Sequence, residues 1–262
     1  MLFPVFASAK AAAKKAMCLS NMHQAQLATD LYMSDYDELF MPVNHRPALP
    51  PDSRLDRTWV QLILPYATSF GIFTCPADSS ARETSETTFD QDLVPGDIYS
   101  QYYTASMRVN MGYNYLYLSP IVFRRGQWVS EPRSMNEVTD PSKTMLFVDS
   151  LWSRLEDGTP FGGGNWLVVP PCRYLASSGR RIDSFTVDGA VYTPFIGWET
   201  NDPNSAHLYG NAWPWHAGRV NLARVDGSVT SMPVEKLSAG CNLKDSWRGT
   251  ISDSGEYVWD TR

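Results

Sequence analysis

The sequence predicts an α+β fold, one long helix lying on an antiparallel sheet, and three observations carry that expectation. Residues 8–36 contain no Gly and no Pro and are rich in Ala, which favours helix throughout. Near the other end, Asp226-Gly227 sits between two strand-like runs, residues 219–225 and 228–232, the pattern of a β-hairpin with a two-residue turn that needs positive φ. The chain also carries nine Trp, thirteen Tyr and eleven Phe among 17 Gly and 18 Pro, a composition that fits a loop-rich, mostly β body.

The opening helix is expected over residues 1–36, with the β-rich body following over 37–262. Pro4 falls in the first turn, where its missing N–H costs nothing. Cys18, Met22, Ala25, Thr29, Tyr32 and Tyr36 follow the three-and-four spacing of one buried stripe. Leu27 and Leu31 project from roughly the opposite side at about 100° per residue. A helix on a single-domain core needs one apolar stripe. The second calls for another burial partner, either neighbouring subunits or a second layer of the same domain.

After the helix, Asp35, Asp37 and Glu38 gather carboxylates where the macrodipole disfavours them, so they are expected to face solvent. A Pro-rich loop leads to a short helix starting at Trp59 and ended by Pro65, its apolar face formed by Trp59, Leu62 and Ile63. Residues 70–76 read as a short strand into a turn, and 77–97 as a polar exposed loop. Residues 112–117 form a strand-like aromatic run, and 144–149 a firmer strand ending at Asp149. Residues 151–215 change character: glycine and proline clusters interrupt short apolar pieces, with strands expected near 184–187 and 191–196.

Composition also excludes. The net charge is −6 with both signs interspersed, and no Lys/Arg run marks a nucleic-acid partner. Lys10, Lys14 and Lys15 stand on the opening helix as ordinary solubilisers or as an interfacial group. Residues 1–13 are too short to span a bilayer and lack the basic n-region of a signal peptide. Four widely spaced cysteines contain no Cys-x-x-Cys pair, which leaves zinc and thioredoxin-like motifs without support. They are consistent with two disulfides in an oxidising compartment or with four buried thiols. Of the three pairings, Cys18 with Cys75 and Cys172 with Cys241 is the favoured one, since the first would tie the helix to the body.

A family resemblance joins these pieces. Leu2-Phe-Pro-Val-Phe-Ala, Cys18-Leu-Ser-Asn-Met and Tyr32-Met-Ser-Asp-Tyr-Asp-Glu38 resemble the front of prepilin-type proteins. His216, nine residues, then Asp226-Gly227 resembles the C-terminal signature of a large bacterial family of pilin-like and pseudopilin-like proteins. Phe73-Thr-Cys-Pro-Ala-Asp78, Gly112-Tyr-Asn114 and residues 140–149 look like further landmarks of that family, in its order. The resemblance implies a leader and an apolar membrane segment ahead of Leu2, both missing here, and a truncated pilin stem. It implies inner-membrane anchoring before assembly and then a periplasmic or extracellular filament of the cell envelope. Its partners would be further copies of the chain and a pilus or secretion assembly machinery, with membrane contact through the missing segment. Under it, Phe3, Pro4, Phe6, Leu27 and Leu31 become the assembly helix. Trp215-His-Ala-Gly218 departs from the family's usual basic-His-Asn-Gly run.

The catalytic search points to no enzyme. There are four histidines, and no metalloprotease helix, nucleophile elbow or phosphate-cradling loop accompanies them. His216 is expected to pin the hairpin entry by hydrogen bonding rather than to form an acid–base pair with Asp226. Asp149 and Asp226 are the candidate oxygen ligands for calcium, the one cofactor the resemblance brings in. Trp152, Trp166, Trp198, Trp213 and Trp215 admit an alternative function, a monomeric cell-surface glycan-binding or adhesive module on a pilin scaffold. Their other role is to fill small cores beneath the long loops.

Overall fold

The computed structural model describes residues 3–45, 57–81, 102–177, 180–183, 190–193, 198, 208–244 and 247–260. Helix α1 (Phe3–Asp35) runs 33 residues, about 50 Å at 1.5 Å per residue. Its buried positions are Cys18, Met22, Ala25, Gln26, Ala28, Thr29, Tyr32 and Met33, the expected stripe widened by its neighbours. Tyr36 departs from that stripe. The helix ends at Asp35, Asp37 and Glu38 take positive φ, and the half-exposed Tyr36 ring stacks on Tyr32 at 4.2 Å. All three carboxylates face outward as expected, and Asp35 also accepts a hydrogen bond from the Tyr66 hydroxyl at 2.7 Å.

Helix α2 (Trp59–Ile63) is closed at its start by a capping box, with Thr58 and Gln61 exchanging side-chain-to-backbone bonds, and passes into a 3₁₀ turn over Leu64–Tyr66 that contains Pro65. Residues Phe70–Phe73 form a second 3₁₀ turn in place of the expected strand. A run this short and apolar does not distinguish the two by periodicity, and Asn110 holds the segment by accepting from the Cys75 N–H at 2.9 Å.

Eight strands build the two larger sheets of the described residues: β1 (Met111–Tyr113), β2 (Met145–Asp149), β3 (Cys172–Ser177), β4 (Arg180–Asp183), β5 (Arg219–Arg224), β6 (Val229–Pro233), β7 (Cys241–Asn242) and β8 (Gly249–Ile251). The central sheet has the order β6-β5-β2-β1 and is antiparallel throughout. Strand β2 is buried at every residue, as a central strand covered on both faces must be. On one face Phe147 stacks on Trp59 at 4.8 Å. On the other, Val168 packs so tightly over β1 that a Cβ at Gly112 would lie 2.2 Å from it, which explains the glycine.

The second sheet, β4-β3-β8-β7, is mixed, because β3 and β8 run parallel. Nothing in residues 151–215 foretells it. The strand expected at 184–187 lies outside the described residues; of 191–196, only Val191–Thr193 are described, and Val191 makes a single bridge to Val122. The aromatic run expected over 112–117 is strand only to Tyr113, then a helical turn, Tyr115–Leu118, buried at every position. The loop expected over 77–97 lies mostly outside the described residues. Helix and body share one core extending from Met22 of α1 to Trp259. The fold is α+β.

Candidate functional site: the two faces of the opening helix

One face of α1 is bonded to the body from its middle to its end. Asn21 donates to the Thr74 carbonyl at 3.0 Å, and Gln24 accepts from Thr68 at 3.1 Å. Cys18 is joined to Cys75, and Cys172 to Cys241, as favoured from the sequence.

The two ends of the His-x9-Asp-Gly run both reach this face. At the far end Gly227 takes φ +92° and faces the Gln26 amide, which a Cβ would meet at 3.4 Å. The turn there has three residues, not two. Arg224 and Ser228 still pair, Gly227 N–H closes a turn on the Arg224 carbonyl, and within the turn only Gly227 has positive φ, the three-residue hairpin with a glycine bulge. Val225 joins the loop because its N–H is taken by the Thr144 carbonyl. Asp226 Oδ1 accepts from the Ser228 N–H at 2.9 Å, a local turn clasp.

At the near end, His216 sits beneath Cys18. Its Nε2 lies 3.6 Å from Cys75 Sγ and 3.5 Å from Asp149 Oδ2, and Asp149 accepts the Asn221 N–H at 2.7 Å. His216 therefore does stand at the hairpin entry, where its backbone also exchanges bonds with Arg219. Ala217 takes φ +52°, a left-handed conformation that Asn tolerates better than Ala.

Burial dominates the electrostatics of this pair. It pushes the Asp149 carboxyl well above its ordinary range and the His216 imidazole down to about 4, with Lys15 acting on both. Below pH 6.5 the unfolded chain protonates its histidine before the fold does, so this contribution is whole above 6.5 and is lost as pH falls towards 4. Asp149 acts with the opposite sign: its contribution is present below the ordinary value of 3.8 and is lost as pH rises through the folded value. His216→Gln is expected to remove the first component. Urea midpoints of wild type should fall more steeply from pH 6.5 to 4 than those of the variant.

Asp149 and Asp226 are not brought together. Asp149 lies beside Asn221 within β5 and Asp226 in the turn beyond Arg224, five residues or roughly 16 Å further along the chain. They cannot share one calcium ion in this arrangement. Of the tryptophans of the long loops Trp198 is buried and donates to the Val169 carbonyl, while Trp152, Trp166, Trp213 and Trp215 are half-buried; Trp215 donates to the Ser150 carbonyl and Arg108 lies 3.5 Å above Trp152.

Apart from Gln24, which is bonded to Thr68, the opposite face of α1 is largely exposed. Residues 4–13 are exposed at every position, including Pro4 and Phe6; Phe3 opens the helix and its side chain lies outside the described residues. Leu27 and Leu31 are 48% and 54% exposed, with Met17 at 55% and Phe6 at 69%. At 100° per residue Phe6, Ala13, Met17, Leu27 and Leu31 fall within an arc of about 80°. They form one stripe roughly 38 Å long, opposite the buried one. Sequence reasoning misses Met17 and Ala13; the seven-residue spacing that links Phe6, Ala13 and Leu27, and Met17 and Leu31, also passes through the polar Lys10, Ser20 and Gln24. Among the described residues no helix is long and apolar enough to cross a membrane. Comparison with protein-family models, curated proteins and solved structures finds no match.

Proposed function

We propose that this chain is a non-catalytic structural subunit of a pilus- or pseudopilus-like filament of the cell envelope, assembled through α1. The observation that carries it is the exposed stripe of Phe6, Met17, Leu27 and Leu31 on a helix whose other face is already bonded to its own body. An apolar line left open along a rigid helix is stabilised by a second helix laid against it. The contact is heterologous, since the stripe of one copy meets other copies displaced along the axis, and such contacts propagate into helical fibres. The disulfide and the hairpin tip hold the helix to the body, so that the body is carried on the outside of such a fibre. The resemblance at both ends of the chain agrees with this assignment.

The test is electron microscopy of filaments sheared from cells producing the full gene product. Ordered fibres are expected, and Leu27→Asp with Leu31→Asp should abolish them. Both side chains are half-exposed, so these changes should each alter subunit stability by no more than about 0.5 kcal/mol, and a folded, secreted, unassembled subunit is the expected outcome. Fibres that persist unchanged in the double variant would sink the proposal.

A further inference from the structure

One group of reactive side chains, Cys18, Cys75, His216 and Asp149, is buried where α1 meets the sheet, and of it the proposed assembly uses the disulfide alone. Ligand atoms of the first three lie within 4.8 Å of one another, and Asp149 Oδ2 stands 3.5 Å from His216 Nε2. We propose that, once the Cys18–Cys75 bond is reduced, these four side chains form a tetrahedral site for a zinc-class divalent cation. Metal and disulfide are then alternative clamps on the same helix.

Two of the spacings are close to those of a tetrahedron. Zinc bonds of about 2.3 Å to sulfur and about 2.0 Å to nitrogen or oxygen place sulfur and nitrogen roughly 3.5 Å apart, and nitrogen and oxygen roughly 3.3 Å apart. The corresponding distances here are 3.6 Å for Cys75 Sγ to His216 Nε2 and 3.5 Å for His216 Nε2 to Asp149 Oδ2. The two sulfurs must part, to about 3.8 Å, by rotation of the Cys18 side chain on α1, and Asp149, which lies outside the group of three mutually close ligand residues, must turn towards them. Two thiolates select zinc-class ions over calcium and magnesium. Two thiolates and one carboxylate around a dication leave a single negative charge, and Lys15 acts electrostatically on both Asp149 and His216. The ligands come from α1, the segment after Phe70–Phe73, the end of β2 and the turn before β5, so one ion would join all four.

The chemistry balances. A dithiol gives two electrons and two protons to the Cys18–Cys75 bond and itself becomes a disulfide, leaving two protein thiols. Metal binding then displaces both thiol protons, and any proton on Asp149, to solvent.

The test is titration of the full chain with Co²⁺ after reduction by a phosphine, which does not itself offer thiolates. One equivalent should bind with sulfur-to-cobalt charge-transfer bands and tetrahedral d–d bands, displaced by Zn²⁺, while the oxidised chain shows neither. His216→Asn and Asp149→Asn should each weaken binding at least about tenfold. Cys18→Ser with Cys75→Ser should abolish the bands although Cys172 and Cys241 remain reducible. Should these variants fail to fold, X-ray absorption of the zinc-loaded wild type decides: two sulfur and two nitrogen or oxygen neighbours support the site. A reduced chain without charge-transfer bands, bands indifferent to His216→Asn in a folded variant, or any other sulfur count overturns it.

Discussion

Replacing Cys18 and Cys75 together by serine should lower the unfolding free energy by about 4 kcal/mol, measured by denaturant melts in the presence of a chelator. The bridge closes a sequence separation of 57 residues, and loop-closure entropy for a loop of that size comes to about 4 kcal/mol. Breaking the Cys172–Cys241 bridge, with a separation of 69, should cost a similar amount by the same relation. The two losses differ in place. Cys18–Cys75 is the covalent link between α1 and the body, whereas Cys172–Cys241 staples β3 to β7 across the second sheet. Hydrogen exchange should therefore quicken through the middle of α1 in the first variant and around β3, β7 and β8 in the second. Equal protection of α1 in both would show that packing alone holds the helix.

The second large effect is expected at Trp59, which opens α2 at the centre of the core. Its ring stacks on Phe147 at 4.8 Å, meets Phe73 edge-on at 6.1 Å and tilts against Tyr113 at 5.7 Å. Its Nε1 donates to the Trp166 carbonyl at 2.8 Å. Trp59→Ala removes one of the largest fully buried side chains and should cost about 3–5 kcal/mol. Trp59→Phe refills most of the volume and removes one of the two donors to the Trp166 carbonyl, which keeps the Tyr113 N–H at 3.0 Å, at about 0.5–1.5 kcal/mol. The ordering of the two variants separates packing from hydrogen bonding. A larger loss for phenylalanine than for alanine would contradict the packing described.

Local signals are legible where one short stretch carries its own physics. α1 is legible because high helix propensity and three-and-four spacing coincide over its length. β2 announces itself by an unbroken apolar run, and the hairpin by Asp226-Gly227. The size of that turn is not legible, since Val225 is drawn into it by Thr144, a residue 81 positions earlier (225 minus 144). The second sheet escapes for a related reason: β3 pairs with β8 across 77 residues, from Cys172 to Gly249, and nothing local signals a parallel partner so distant.

The site divides in the same way. The exposed face of α1 can be read from Leu27 and Leu31, because a helix's own period assigns residues to its sides. The group beneath it cannot. Cys18, Cys75, Asp149 and His216 belong to four separate elements, and only the sheet order β6-β5-β2-β1 with α1 across it brings them together. The same topology places Asp149 beside Asn221 within β5 and leaves Asp226 in the turn beyond Arg224, which no spacing rule reveals.

The proposed assembly through α1 is tested by a photo-reactive amino acid placed at Leu27 in cells producing the full gene product. Irradiation should give a ladder of covalent multimers, with the crosslink mapping to α1 of neighbouring copies, while the same residue placed at the exposed Trp128 on the body should not crosslink to any α1. A probe at Leu27 that yields only monomer, or that joins exclusively to its own body, would contradict assembly through the helix.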